Sequence, residues 1–231
     1  MQFLKKLFGI ESEQARPKTP PGVRSPRPAS AQPKEPLRPR QVKTDSLRLQ
    51  VFTADVANLF AADAMITRPL SPHLLAVLVE DLGGAENTVE RARVASLGLD
   101  DDALLALGQM NAAASDLPHA KTMQVPTDAG MIDVCVSNRF FLSALVLTQL
   151  EQENQDALVA LLTWHHALMH RVTDASSVAT WLAMDELAQK ISAEAKCSAL
   201  EWLSPVVHLY RASDQSLAPI TAEAFGAYLN G

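Results

Sequence analysis

The chain has 231 residues, of which 48% are hydrophobic and 20% charged, and it carries a net charge of -6. That length supports one domain with a sizeable core, and no stretch approaches the ~20 consecutive apolar residues of a membrane span. The charge is unevenly placed: through Asp45 ten basic residues face four acidic ones, about +6, and the remainder carries about -12.

An acidic body is repelled by phosphate backbones, so no nucleic-acid partner is expected for the domain. Cys135 and Cys197 form no Cys-x-x-Cys motif and suggest neither a disulfide framework nor a thiolate metal site, consistent with a reducing compartment. The N-terminal MQFLKKLFG lacks the apolar run of a secretory signal, so the expected location is cytoplasmic.

Residues 1–9 read as a short amphipathic basic segment. Phe3, Leu4, Leu7 and Phe8 fall on one helical stripe beside Lys5 and Lys6. So short a helix orders only against something else, such as a partner groove or, weakly, a membrane interface at the inner face of the cell. Residues 10–45 read as a disordered linker rich in proline and basic residues, with eight prolines between Glu11 and Arg40. A single domain is expected over 46–231.

That domain opens with Leu47, Leu49 and Val51 in alternation. Thr53 then caps a helix carrying Val56, Leu59 and Phe60, which Pro69 and Pro72 end. The apolar run 73–82 reads as a buried strand turning at Gly83-Gly84, with 87–94 as its hairpin partner. Asp100 caps a helix over 101–114 with Leu104, Leu107 and Met110 inward, and Asp101 and Asp102 favour the positive end of its dipole.

A hairpin follows, with strands at 121–126 and 131–137 around the turn 127–130. Asn138 caps a helix over 139–152 that buries Phe141, Leu145 and Thr148, with Phe140 and Leu147 widening the stripe. Residues 157–163 and 167–172 read as strands joined through Trp164-His165-His166. A helix over 176–195 turns Val178, Trp181, Leu182, Leu187 and Ile191 inward, and a last strand covers 205–211. Hairpins between helices predict an α+β fold with a largely antiparallel or mixed sheet.

The order of these segments resembles the YtpQ-type family, uncharacterised bacterial cytosolic proteins that share a domain of unknown function. The likeness rests on LAVLVEDL with its return strand, ASLGLDDDALLALGQMNAAAS, GMIDVCVSN entering a leucine-rich helix, VALLTWHHALMHRV and LSPVVHLYR, and covers about 70–220. The family usually shows a Pro-x-Arg-Asp turn between its two late strands, where this chain has Thr163-Trp164-His165-His166. The resemblance implies the fold and offers no established activity.

The histidines His165, His166 and His170 form the one local cluster with chemical interest. On a helix, His166 and His170 at i, i+4 would chelate zinc, the basis for an alternative reading as a metal-dependent hydrolase. On a strand they stand about 13 Å apart, too far for one ion. Other acidic, serine, cysteine and glycine groupings read as structural: Asp100 to Asp102 as a cap, Ser143 and Ser204 without a Gly-x-Ser-x-Gly elbow, Cys135 as a strand thiol. No metal, cofactor or catalytic residue is therefore expected. The leading expectation is a non-enzymatic interaction or adaptor module with a protein partner, which the basic arm tethers to that partner or to an anionic surface. Phe3 to Phe8 and Trp164, His165 and His166 are the candidate binding residues. A structural subunit of an assembly is the other alternative.

Overall fold

The computed structural model describes residues 42–57, 64–83, 86–128, 130–199 and 201–231. The amphipathic tip, the proline-rich linker up to residue 41, and Leu59, Phe60 and Gly84 lie outside the described residues. The elements, in chain order, are β1 (Leu47–Thr53), α1 (Ala54–Ala57), β2 (Thr67–Ser71), β3 (Leu74–Asp81), β4 (Glu86–Thr88), α2 (Arg91–Val94), α3 (Asp101–Asp116), β5 (Ala120–Thr127) and β6 (Gly130–Ser137). They continue with α4 (Leu142–Glu153), β7 (Ala157–Thr163), β8 (His166–Arg171), α5 (Val178–Glu194), β9 (His208–Arg211), β10 (Ser216–Pro219) and α6 (Ala222–Leu229).

The fold is α+β, with two sheets and antiparallel pairing throughout. In the first sheet β3 is central, with β1 on one side and β2 and β4 on the other. The second runs β10-β9-β7-β8-β6-β5. Register places Cys135, Ala167, Met169, Val159, His208, Ala157, Tyr210 and Leu217 on one face of that sheet. Most of these join the first sheet and α4 in one apolar core. The opposite face, with Ile132, Val134, Leu158, Ala160, Leu168 and Leu209, is buried as well, on the side where α5 packs on β7. Burial on both faces explains why β7 is a continuous apolar run instead of an alternating one.

Several local signals act as expected. The Asp100 carboxylate accepts from the Ala103 amide at 2.8 Å, and Thr53 Oγ1 accepts from the Val56 amide at 3.4 Å. Ser177 and Thr180 form a reciprocal capping box at the start of α5.

Other expectations are corrected. Pro69 does not end a helix but sits in β2, an outermost strand that needs no amide there, beside a register shift between Pro69 and Ser71. The return strand covers only 86–88, because Arg93 reaches back to Glu80 at 2.9 Å and Arg91 donates to the Met65 carbonyl, coiling 91–94 into a helical turn. Asn138 caps nothing: the carbonyls of Ser137 and Arg139 are taken by His165, and α4 begins only after Phe141. The last strand is shorter, His208–Arg211, and is followed by β10 and α6, which periodicity did not reveal.

The faces of two helices also differ. Met110 is 60% exposed and Leu182 54%, whereas α3 buries Leu104, Leu105, Gly108, Gln109, Ala112 and Ala113. Gly108 sets that rotation. A Cβ there would stand 2.8 Å from Leu78 Cδ1 and 3.0 Å from the Arg48 carbonyl carbon, so α3 lies on β1 and β3 at a distance only glycine allows. Gly108→Ala is expected to destabilise the fold by about 1–3 kcal/mol through overpacking, despite alanine's higher helix propensity. Chemical denaturation against the wild-type chain measures it.

Candidate recognition cleft

The β7–β8 turn carries the residues that stood out in the sequence. Trp164 is 9% exposed; its indole N–H donates to the Val51 carbonyl at 2.9 Å, and its ring meets Phe52 and Phe140 edge-on. His165 is half-buried, and its Nδ1–H is shared between the carbonyls of Arg139, at 2.9 Å, and Ser137, at 3.2 Å. The Nδ1 of His166 lies 3.0 Å from Thr163 Oγ1.

His170 lies on β8 with His166, as the strand reading required. Its Nδ1–H donates to the Met131 carbonyl at 2.8 Å, and its Nε2 accepts from Ser176 Oγ at 2.8 Å. The geometry brings Trp164, His165 and His166 together in one turn, where Trp164 bonds to the first sheet and the two histidines to groups in or beside the second, and gives His170 separate partners. Among the described residues no group of three or more His, Cys, Asp or Glu is placed to hold a metal ion, and no helix is long and apolar enough to cross a membrane. The acidic candidates have their own partners: Glu80 with Arg93, Asp81 with the Gly83 amide, and Asp101 with Arg91.

Burial lowers the pKa of His166 to about 4, with His165 adding repulsion, and burial also lowers that of His208 to about 4. His208 is fully buried, donates Nδ1–H to the Val206 carbonyl at 3.0 Å and accepts from Ser71 Oγ at 3.2 Å, tying β9 to β2. It stays neutral in the fold.

Among the described residues, two of the clefts lie against the second sheet. One, of 270 Å³, is lined by Gln124, Met131, Asp133, His170, Arg171 and Thr173. Its charges are paired: Arg171 bonds Asp133 at 2.5 Å and Glu153 at 2.6 Å, and Gln124 bonds Asp133 at 3.2 Å. Arg171 holds the Glu153 carboxyl below its ordinary range.

The other cleft, of 370 Å³, lies where the outermost strands β2 and β10 run side by side under α4. Arg68, Leu147, Glu151, Tyr210, Asp214 and Leu217 are among its lining residues. Arg68 donates to Gln109 Oε1 at 3.3 Å, and Gln109 in turn donates to Glu151 at 2.8 Å and Thr148 at 3.3 Å.

Tyr210, 2% exposed, lies in this cleft with its hydroxyl sealed from water and without a hydrogen-bond partner. Burial, then the charges of Glu151, Asp156 and Asp214, push its pKa up. The Gln50 amide and the hydroxyls of Ser143 and Ser192 are also sealed and unpartnered, but none of them lines either cleft. Gln215, at the tip of the β9–β10 hairpin, has a φ of 53°, which carries the chain around the rim. Nothing in the sequence links positions 68, 151, 210 and 214. Strand alternation could at most have flagged Tyr210 as an inward tyrosine.

A histidine whose folded pKa lies below its unfolded value binds its proton more readily in the unfolded chain. Stability therefore falls as pH drops from about 6.5 toward 4, by up to ~1.4 kcal/mol per pH unit for each such ring. Asp116, which burial pushes up, acts in the opposite sense. Urea denaturation at several pH values across that window is expected to show the loss, with a shallower slope in His208→Asn. No family model, curated protein or solved structure matches this chain.

Proposed function

We propose that the chain is a non-enzymatic interaction module. Its α+β part holds a partner protein through the cleft between β2, α4 and the β9–β10 hairpin. The basic N-terminal segment, with Phe3, Leu4, Lys5, Lys6, Leu7 and Phe8 at its tip, tethers it to a partner or to an anionic surface at the inner face of the membrane.

The Tyr210 hydroxyl carries this reading. Leaving a buried hydroxyl unpaired costs about 1–3 kcal/mol, a cost that a ligand group reaching it would relieve. With its pKa raised, the phenol remains protonated at neutral pH, so it offers both a donor and an acceptor and suits recognition better than proton abstraction. The imidazoles support the same reading, since His165 and His170 are bonded within the second sheet and the loops beside it, and His208 ties that sheet to β2.

Tyr210→Phe removes the hydroxyl and almost nothing else. The variant is expected to be as stable as the wild type or more stable by up to ~1 kcal/mol. In capture experiments from native lysate the full-length variant should retain less of the partner that wild type retains. Equal retention by Tyr210→Phe and Arg68→Ala would remove the cleft from the proposal, and equal retention by a chain beginning at Ser46 would remove the tether.

A further inference from the structure

The chemistry of the cleft narrows the class of ligand, an inference that rests on its reading as a recognition site. Arg68 offers five N–H donors, and among the described residues it donates to Gln109. Glu151 receives Gln109 through one oxygen, and Asp214 receives the amide and the hydroxyl of Ser216, so each carboxylate keeps lone pairs for a further donor. Pro69, Leu70, Leu147 and Leu217 supply apolar wall between these polar groups.

Shape adds a second constraint. The strands β2 and β10 are each the outermost of their sheet, paired on one side only, and they flank the cleft lengthwise. They stand too close together for a further strand to pass between them, so an occupant of the cleft is read by its side chains and not by a strand ladder. Pro69 and Pro219 remove two amides from those edges, which favours a ligand rich in its own side-chain donors over one that needs a full ladder.

Charge supplies the third. The charges that act on the Tyr210 hydroxyl, those of Glu151, Asp156 and Asp214, are all negative, while Arg68 lines the same cleft and Arg211 acts on Asp214 at its rim, so the field at the hydroxyl is negative. A free anion would meet one guanidinium and two lining carboxylates. A basic side chain meets the reverse balance.

We propose that the cleft binds an arginine side chain of a partner protein, its guanidinium lying between Glu151 and Asp214 and a neighbouring backbone carbonyl taking a free donor of Arg68. The Tyr210 hydroxyl, in the same lining and without a partner of its own, donates to a further carbonyl of the bound segment.

The test uses the full chain and a short labelled peptide of alternating proline and arginine, followed by fluorescence anisotropy. Binding should weaken about tenfold, ~1.4 kcal/mol, in the Glu151→Gln plus Asp214→Asn variant, and severalfold in Tyr210→Phe. It should be unchanged in Asp128→Asn plus Asp174→Asn, which removes two exposed carboxylates outside the cleft lining. A matched peptide with glutamate for arginine should not bind. Affinity that ignores the cleft substitutions, or that falls equally with Asp128 and Asp174, overturns the proposal, as does equal binding of the glutamate peptide. If the basic peptide fails while partner capture still depends on Tyr210, the ligand class is wrong and the module stands. If capture is indifferent to Tyr210 as well, both fall.

Discussion

The hydrogen bond from the Trp164 indole to the Val51 carbonyl is the contact on which the two-sheet arrangement turns. β1 is the edge strand of its sheet, and an edge carbonyl buried without a donor would carry the full cost of desolvation. Trp164 reaches it from the β7–β8 turn of the other sheet, and the rings of Phe52 and Phe140 close around the indole at 5.4 and 6.0 Å. A second tie, His208 to Ser71, joins β9 to β2. Two points of attachment, polar in direction and apolar in surroundings, fix how the sheets meet more tightly than apolar contact alone, which has no preferred orientation.

The cleft is a consequence of that joint. Once the sheets are fixed, β2 and β10 come alongside each other without pairing, and α4 spans the gap they leave. Gln109 then connects the walls: it accepts from Arg68 on β2 and donates to Thr148 and Glu151 on α4. Its position follows from Gly108, because the close approach of α3 to β1 rotates the next residue into the seam. A single glycine thus governs both the packing of α3 and the spacing of the polar groups above Tyr210.

Local chemistry was legible in the sequence and long-range geometry was not. The hairpin of β5 and β6, the buried strand β3 and the caps at Thr53 and Asp100 follow from alternation, apolar runs and side-chain caps, all of which act within a few residues. Pro69 misled because proline is also at home on an outermost strand, which the sequence does not mark. Met110 misled because a helix rich in alanine and leucine has several candidate faces, and Gly108 chose among them through a contact with strands more than 25 positions away. The histidines drew attention as a cluster, yet Trp164 beside them holds the joint. The cleft was invisible, since its polar groups come from β2, α4 and the hairpin after β9 and carry no shared motif.

Of the sealed polar atoms in this fold, the Tyr210 hydroxyl differs in its surroundings more than in its burial. The unpartnered Gln50 sits on β1 opposite Val77, whereas Tyr210 lines a cleft together with two long side chains, Arg68 and Glu151. Phenylalanine would fill the same volume without the unpaired oxygen. Stability alone therefore gives no reason for a tyrosine at this position. A group held at a cost, in a place where a partner can relieve it, is how a site stores binding energy in the unbound state. The same carboxylates that keep the phenol protonated would receive a cation, so the charges that hold the hydroxyl as a donor and those that favour an occupant have one source.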